Sequence, residues 1–296
     1  AASDVYKRQI QAAIYGIYGN LRDYEYKQML LEKIRLTQKD FDGHWTPTIA
    51  PSDGRVSEAW KAAYRTISLA NMVIDKLETT DGFNIEEYKR AAYVNEAKAL
   101  RCLVYYSLSQ LWGNVPYVTI PDDPDNYDEI RQSPIYSTQV LCSELEGILQ
   151  SIDFLPEGEG RITIEAVKAL RAEILLSLGF KEEAAYILQD CQPDFYIAVD
   201  EHFTPEIYRL FGEKIPNYTS EKTALLLKEA QAETTEDKAA LSAEWKAKKQ
   251  DWGYWLMLKR TGQARTVSGC KEHELLMPVP QCEIDRLPSL AQNPGY

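Results

Sequence analysis

One stretch, Glu96–Thr119 (EAKALRCLVYYSLSQLWGNVPYVT), limits what this chain can become. Tyr93, Ala97, Leu100, Val104, Leu108 and Leu111 recur every three or four residues, the spacing of a helix with one buried face. Ala92, Ala97 and Ala99 keep parts of its surface small, so neighbouring helices can approach closely. Tyr105 and Tyr106 widen the apolar face. Gly113-Asn114 stops the helix and Pro116 forbids its early return. The residues that follow, Val115 to Pro121, form an extended apolar run. A long buried helix with an ordered, extended exit calls for other helices around it.

The flanking sequence supplies them. Ile10–Leu36 is helical in pattern, with Ile14, Ile17, Tyr18, Leu21, Met29, Leu30 and Ile34 as its stripe and Gly16 and Gly19 as points of close packing. Thr37–Ser57 is a loop, and a helix starts at Ser57-Glu58 with Trp60, Tyr64, Ile67, Asn71, Ile74 and Leu77 facing inward. The organising helix covers Glu86–Trp112, and Pro121–Pro134 is an acidic loop. Thr138–Ile152 is a further helix. Thr163 caps another that runs to Leu178 and stops at Gly179, with Phe180–Gln189 as its short partner. Thr163–Gln189 has the alternation of small and large residues found in tetratricopeptide-like hairpins. The expected fold is mainly α, a run of tetratricopeptide-like helical hairpins.

Between Asp190 and Gln250 the pattern gives an extended Phe195–Val199, a short helix at Glu206–Phe211, a turn at Pro216–Ser220, and two charged helices that break near Thr234-Thr235. Asp251–Tyr296 is poor in periodicity and closes as a Pro-rich strap. Pro278, Pro280 and Pro288 favour an extended path on which Leu275, Leu276, Val279 and Ile284 dock. Asn293-Pro294-Gly295 is a turn signal that pins Tyr296.

Ala1–Gln9, AASDVYKRQ, is what the end of a widely used transposase sequencing adapter encodes, and is read as a translated adapter outside the fold. The remainder, 10–296, is expected to be one domain: a repeat-like helical core over 10–190, a shortened variable region over 191–250 and a C-terminal segment over 251–296. On this reading the natural chain enters mid-gene near Ile10, so a signal peptide or lipid-anchor cysteine would lie upstream.

A net charge of −12 argues against nucleic acid and against adsorption to anionic lipid, and suits a neutral or cationic ligand. No apolar run approaches a membrane span. The five cysteines, Cys102, Cys142, Cys191, Cys270 and Cys282, form no CxxC and no metal framework. A Cys270–Cys282 bridge is one option for the last two.

Two motifs carry a resemblance. Glu96-Ala97, Leu100-Arg101, Tyr105-Tyr106 and Trp112-Gly113-Asn114-Val115-Pro116 form the first. The second is at the C-terminus: Leu258-Lys259-Arg260-Thr261-Gly262, Leu276-Met277-Pro278-Val279-Pro280, Glu283-Ile284 and Gln292-Asn293-Pro294-Gly295-Tyr296. Together with the weaker Trp60, Tyr64, Ile67, Asn71 series, they resemble, in the family's order, the SusD/RagB family of glycan-capturing lipoproteins of Bacteroidetes outer membranes. The resemblance implies a SusD-like fold, a nutrient-binding role at the cell surface, a lipid anchor on the missing N-terminus, and a SusC-type TonB-dependent transporter as partner. The matched residues are read as scaffold that identifies the family without binding ligand. Two departures stand out: the middle region is short, and Met257 stands where the family usually has Asp.

No GxSxG, HExxH, P-loop or dinucleotide fingerprint occurs, and His44, His202 and His273 lie in unrelated segments. Binding without chemistry, metal or cofactor is therefore expected. Asp40-x-Asp42-Gly43 and Asp122-Asp123-Pro124-Asp125 lack the rest of a calcium loop and read as solvated acidic loops. Sugar binding needs a flat aromatic face with polar groups beside it. Trp45, off any apolar stripe and next to Asp42 and His44, is the leading candidate; the bland alternative is a Trp folded onto the helices. Tyr127 in the acidic loop and Tyr218 in the Pro216 turn follow. Trp60, Trp112, Trp252 and Trp255 are assigned to the core. The competing readings are a tetratricopeptide-like scaffold for a peptide or protein partner and, more remotely, a glycoside hydrolase with two placed carboxylates.

Overall fold

Three long helices lie together: α1 (Ala2–Thr37), α2 (Gly54–Thr79) and α3 (Glu87–Trp112). The structure, a computed structural model, describes residues 2–80, 85–199, 205–248 and 253–296. Side-chain pairings set the directions. Arg90 donates to the Leu77 carbonyl, Arg101 to Asn71, and Trp60 meets Trp112 edge to face at 5.5 Å, so α2 and α3 run antiparallel. Tyr18 bonds Glu96 and Tyr24 bonds Ser107, so α1 and α3 run the same way. Gly16 allows close approach of α1 and α2: a Cβ there would lie 3.0 Å from Leu69 Cδ2. No such neighbour stands at Gly19. Residues 4–9 of α1 are exposed, and burial begins at Ile10.

After α3 come β1 (Val115–Pro116), α4 (Tyr127–Arg131), β2 (Ile135–Tyr136), α5 (Thr138–Gln150), α6 (Ile164–Leu178) and α7 (Lys181–Leu188). β1 and β2 pair antiparallel. α3, α5, α6 and α7 pack each against the next, giving the tetratricopeptide-like succession. Then follow β3 (Phe195–Ala198), α8 (Pro205–Phe211), β4 (Lys214–Tyr218), α9 (Ser220–Gln231) and α10 (Thr235–Ala247). The C-terminal part holds α11 (Tyr254–Arg260), α12 (Ala264–Ser268) and α13 (Gln281–Arg286).

Local chemistry explains the boundaries. Thr163 accepts from the Ala166 N–H at the start of α6, and Gly179 ends it in the left-handed region at φ +86°. Thr234 and Asp237 form a reciprocal capping box at α10. α2 begins at Gly54, a turn earlier than its sequence suggests, because Asp53 caps it by accepting from the Arg55 N–H. The segment Pro216–Ser220 is not a turn: β4 pairs antiparallel with β3 through Tyr218, and Thr219 caps α9. The acidic loop contains a 3-10 turn (Pro124–Asn126) and α4. The Cys270–Cys282 option is not realised: both are free thiols, Cys270 buried and Cys282 exposed.

α3 is the centre of the molecule, and more so than its stripe suggests. From Glu96 to Trp112 every side chain except Lys98 is buried, because α1, α2, α5, α6 and the C-terminal segment enclose it. Its exit is tied down as expected. The Tyr105 hydroxyl accepts from the Val118 N–H and donates to the Val118 carbonyl, while Asn71 donates to the carbonyls of Val118 and Ile120.

The strap is threaded against this centre. Met277 N–H donates to the Leu111 carbonyl at 2.7 Å, and the Trp112 indole donates to the Pro278 carbonyl at 3.0 Å. Asn293 Nδ2 reaches the carbonyls of Trp112 and Met277, both at 2.7 Å. The Tyr296 hydroxyl donates to the Leu276 carbonyl and accepts from Arg35. α13 interrupts the extended path, so the strap is two irregular segments joined by a short helix. Lys259 donates to the Gln110 carbonyl, and Arg260 pairs with Glu173 and Glu229. Most of the motif residues pack into or against this interior. Trp60, Trp112 and Trp255 are in the core with Trp245, while Trp252 and His202 lie outside the described residues.

Candidate functional site

The loop between α1 and α2 folds into a small hairpin. Gln38 takes φ +59° and turns the chain off α1. Lys39 and Trp45 form an antiparallel bridge, the Asp40 N–H donates to the His44 carbonyl at 3.0 Å, and the Thr46 N–H donates to the Gln38 carbonyl at 2.8 Å. Gly43 supplies φ +83° at the tip. Asp40 Oδ1 accepts from the N–H groups of Asp42 (3.0 Å) and His44 (2.8 Å), the local bonding by which Asp holds a turn.

The hairpin is docked on one side and open on the other. Phe41 stacks on Tyr26 of α1 at 5.7 Å and 19°, and Lys33 Nζ stands 5.8 Å from the Phe41 ring centroid. This anchors the backbone. Trp45, by contrast, is 64% exposed and does not fold onto the helices. A flat indole held by a β-bridge and a docked neighbour forms a ready stacking surface.

Polar groups gather on the same hairpin. Asp42 and His44 are exposed, and Arg209 of α8 reaches Asp42 Oδ1 at 3.2 Å. His44 Nδ1 lies 3.3 Å from Asp40 Oδ2. Desolvation pushes the Asp40 pKa up, but the hydrogen bonds from His44 and Asp42 together outweigh it and hold the carboxyl below the usual carboxylate range. Asp40, Asp42 and His44 bring ligand-capable atoms within 4.8 Å of one another, the one such group among the described residues. Two of the three are exposed, and all three already have partners within the protein, so the group forms a polar edge at the hairpin surface. Exposed pairs such as Arg209–Asp42 contribute little to stability and can exchange readily for ligand hydroxyls.

The other candidates lie elsewhere. Tyr127 opens α4 and is 47% exposed, with no hydrogen bond, ion pair or ring contact to the hairpin. Tyr218 is buried on β4, where its hydroxyl donates to Glu173. It presents no face to solvent, because the segment is a strand and not a surface turn. Arg209 had no signal in the sequence: α8 is brought beside the hairpin only by tertiary folding.

A SusD-like family profile, described as starch-binding associating with outer membrane, matches residues 13–163. A SusD-like protein of Bacteroides ovatus is 26% identical over 127 residues, 42% of this chain and 23% of the relative. SusD-like protein P25 of Formosa agariphila is 30% identical over 125 residues, 40% of this chain and 23% of the relative. The matched stretches thus span less than a quarter of these relatives' length. Among solved structures, a laminarin binding SusD-like protein superposes with a TM-score of 0.72 at 17% identity, covering 98% of this chain and 99% of that one. Surface glycan-binding protein A from Bacteroides thetaiotaomicron, in complex with laminarihexaose, gives 0.66 at 15% identity, covering 97% and 99%. At such identities the superpositions speak for the fold.

Proposed function

The chain belongs to the SusD-like family, matched over residues 13–163, and on that premise we propose that it captures a neutral oligosaccharide at the outer cell surface through the hairpin at residues 38–46. The observation that carries this reading is Trp45, 64% exposed on a hairpin anchored by Phe41 and Tyr26. An indole face fits the apolar face of a pyranose, and Asp42, His44 and Arg209 beside it are suited to the hydroxyls. The net charge of −12 favours a neutral ligand over an acidic one.

In this reading the protein binds and does no chemistry. Its partner is a SusC-type TonB-dependent transporter, for which it acts as a capture module and lid, held at the outer membrane by a lipid anchor. Family membership supports these assignments. The relatives that bind laminarin or laminarihexaose name β-glucan as one ligand class to try, and the family description names starch as another.

Calorimetric titration of the chain with laminarihexaose, maltohexaose and a wider oligosaccharide panel tests the proposal, with Trp45→Ala alongside. Saturable binding that Trp45→Ala weakens at least tenfold is expected, a loss on the scale of one aromatic stacking contact, about 1.4 kcal/mol. Binding unchanged in the variant would move the site off the hairpin. No binding to any sugar would favour the tetratricopeptide-like scaffold, with a peptide or protein partner.

A further inference from the structure

Away from the hairpin, α1, α3 and the connection into α6 meet around Arg161. Glu96 is fully buried and accepts two hydrogen bonds from Arg161, from Nε at 2.8 Å and Nη2 at 2.7 Å. Tyr18 donates to the same carboxylate at 2.7 Å, and its hydroxyl accepts from the Ile162 N–H. Gly158 leaves room for the side chain: a Cβ there would lie 2.9 Å from Arg161 Cδ. The guanidinium is thus fixed in place and its charge is matched. The hydrogen bonds to Glu96 raise the Arg161 pKa above its ordinary value, so it is charged throughout the physiological range.

Two tyrosine rings attend this fixed group. The centroids of Tyr15 and Tyr93 each lie 5.7 Å from Arg161 Cζ. Tyr93 is half-buried, but Tyr15 is 57% exposed. Glu96 already satisfies the charge of Arg161, so neither ring is required to neutralise it. What the rings add is a flat apolar surface at the solvent boundary, beside a rigid donor. Nη1 of Arg161 makes no hydrogen bond to any described residue. This combination matches the apolar face and hydroxyl edge of a sugar.

We propose that Tyr15, Tyr93 and Arg161 form a second carbohydrate-contact surface, on which a pyranose of a neutral glycan stacks against Tyr15 and Arg161 Nη1 donates to a ring hydroxyl. The inference rests on the glycan-binding reading above and adds a site distinct from the hairpin. Neutral sugar is the class favoured, because Glu96 cancels the arginine charge and the whole chain is acidic.

The test uses the whole chain, titrated by calorimetry with laminarihexaose and with maltohexaose, in four forms: unchanged, Tyr15→Ala, Tyr15→Phe and Trp45→Ala. Tyr15 is exposed, so its variants should keep the parent's melting temperature. Tyr15→Ala is expected to weaken binding of the recognised sugar roughly tenfold, the scale of one aromatic contact, while Tyr15→Phe keeps the ring and the affinity. Binding that is indifferent to Tyr15→Ala but weakened by Trp45→Ala would overturn the second surface and leave the hairpin standing. Binding weakened by Tyr15→Ala but not by Trp45→Ala would support the second surface and remove the hairpin assignment. Absence of binding to both sugars in the unchanged chain would overturn the second surface.

Discussion

Glu32, on α1, is 2% exposed, and neither of its carboxylate oxygens has a hydrogen-bond partner among the described residues. Burial pushes its carboxyl up to about 8; the Glu25 and Glu173 charges add to the rise, and Lys222 and Lys259 oppose it. The unfolded chain titrates this group near its ordinary value of 4.5. Between those two values the folded state holds a proton that the unfolded state has released, so stability falls as pH rises from about 4.5 to about 8. Glu32→Gln removes that dependence while keeping the shape. The variant should lie within about 1 kcal/mol of the parent at pH 5 and gain roughly 3–4 kcal/mol on it by pH 8, measured by urea denaturation. A variant less stable than the parent at pH 8 would show that Glu32 serves as a charge partner for Lys222 and Lys259. A buried glutamate on a helix is hard to foresee. Glu32, Glu96 and Glu173 look like surface residues in sequence, and only Arg161, Arg260 and Lys222, from distant segments, reveal that the last two are core ion pairs.

At the scale of elements, the end of α3 concentrates several demands on one residue. Gly113 takes φ +81° and ψ −117°, and a Cβ there would lie 3.0 Å from Leu276 Cδ1 of the strap. Gly113→Ala therefore meets both a disfavoured backbone conformation and the docked strap. It should cost roughly 2–4 kcal/mol, read as a lowered denaturation midpoint with unchanged slope. A cost below about 0.5 kcal/mol would mean that the strap is not seated as described. This helix end was legible in Gly113-Asn114 and Pro116, as were the Thr163 cap, the Gly179 stop and the break before α10, because each is written in neighbouring residues. β4 was not legible, since its strand character comes from pairing with β3 across a gap in sequence. The Trp45 loop reads as polar in sequence, but its hairpin geometry depends on the Asp40 side chain and on Phe41 finding Tyr26. The one-sided stripe of α3 likewise understated its burial, because Ser107, Ser109 and Gln110 read as a polar face until α5 and the strap cover it.

The whole molecule is closed by its last residues. Asn293 sits 181 residues from Trp112 and ties its carbonyl and that of Met277 with one amide. Asn293→Ala leaves two buried carbonyls without a donor and should destabilise by roughly 2–4 kcal/mol. Hydrogen exchange in the variant should quicken at Met277 and Val279 before α1 and α2 respond; uniform quickening would show that the strap and core unfold as one unit. A strap that holds the helical core rigid leaves surface features free to specialise, and the hairpin at residues 38–46 is where the aromatic face is offered. Trp45 is the one exposed tryptophan among the described residues, with Trp60, Trp112, Trp245 and Trp255 at 2% or less. The difference in emission between the chain and Trp45→Phe therefore reports the hairpin. The measurement that bears most directly on glycan capture is a fluorescence titration of the chain with laminarihexaose and maltohexaose, with Trp45→Phe as control. A saturable blue shift with one of these sugars, absent in Trp45→Phe, is the predicted result. Calorimetric binding of either sugar with unchanged Trp45 emission would contradict it.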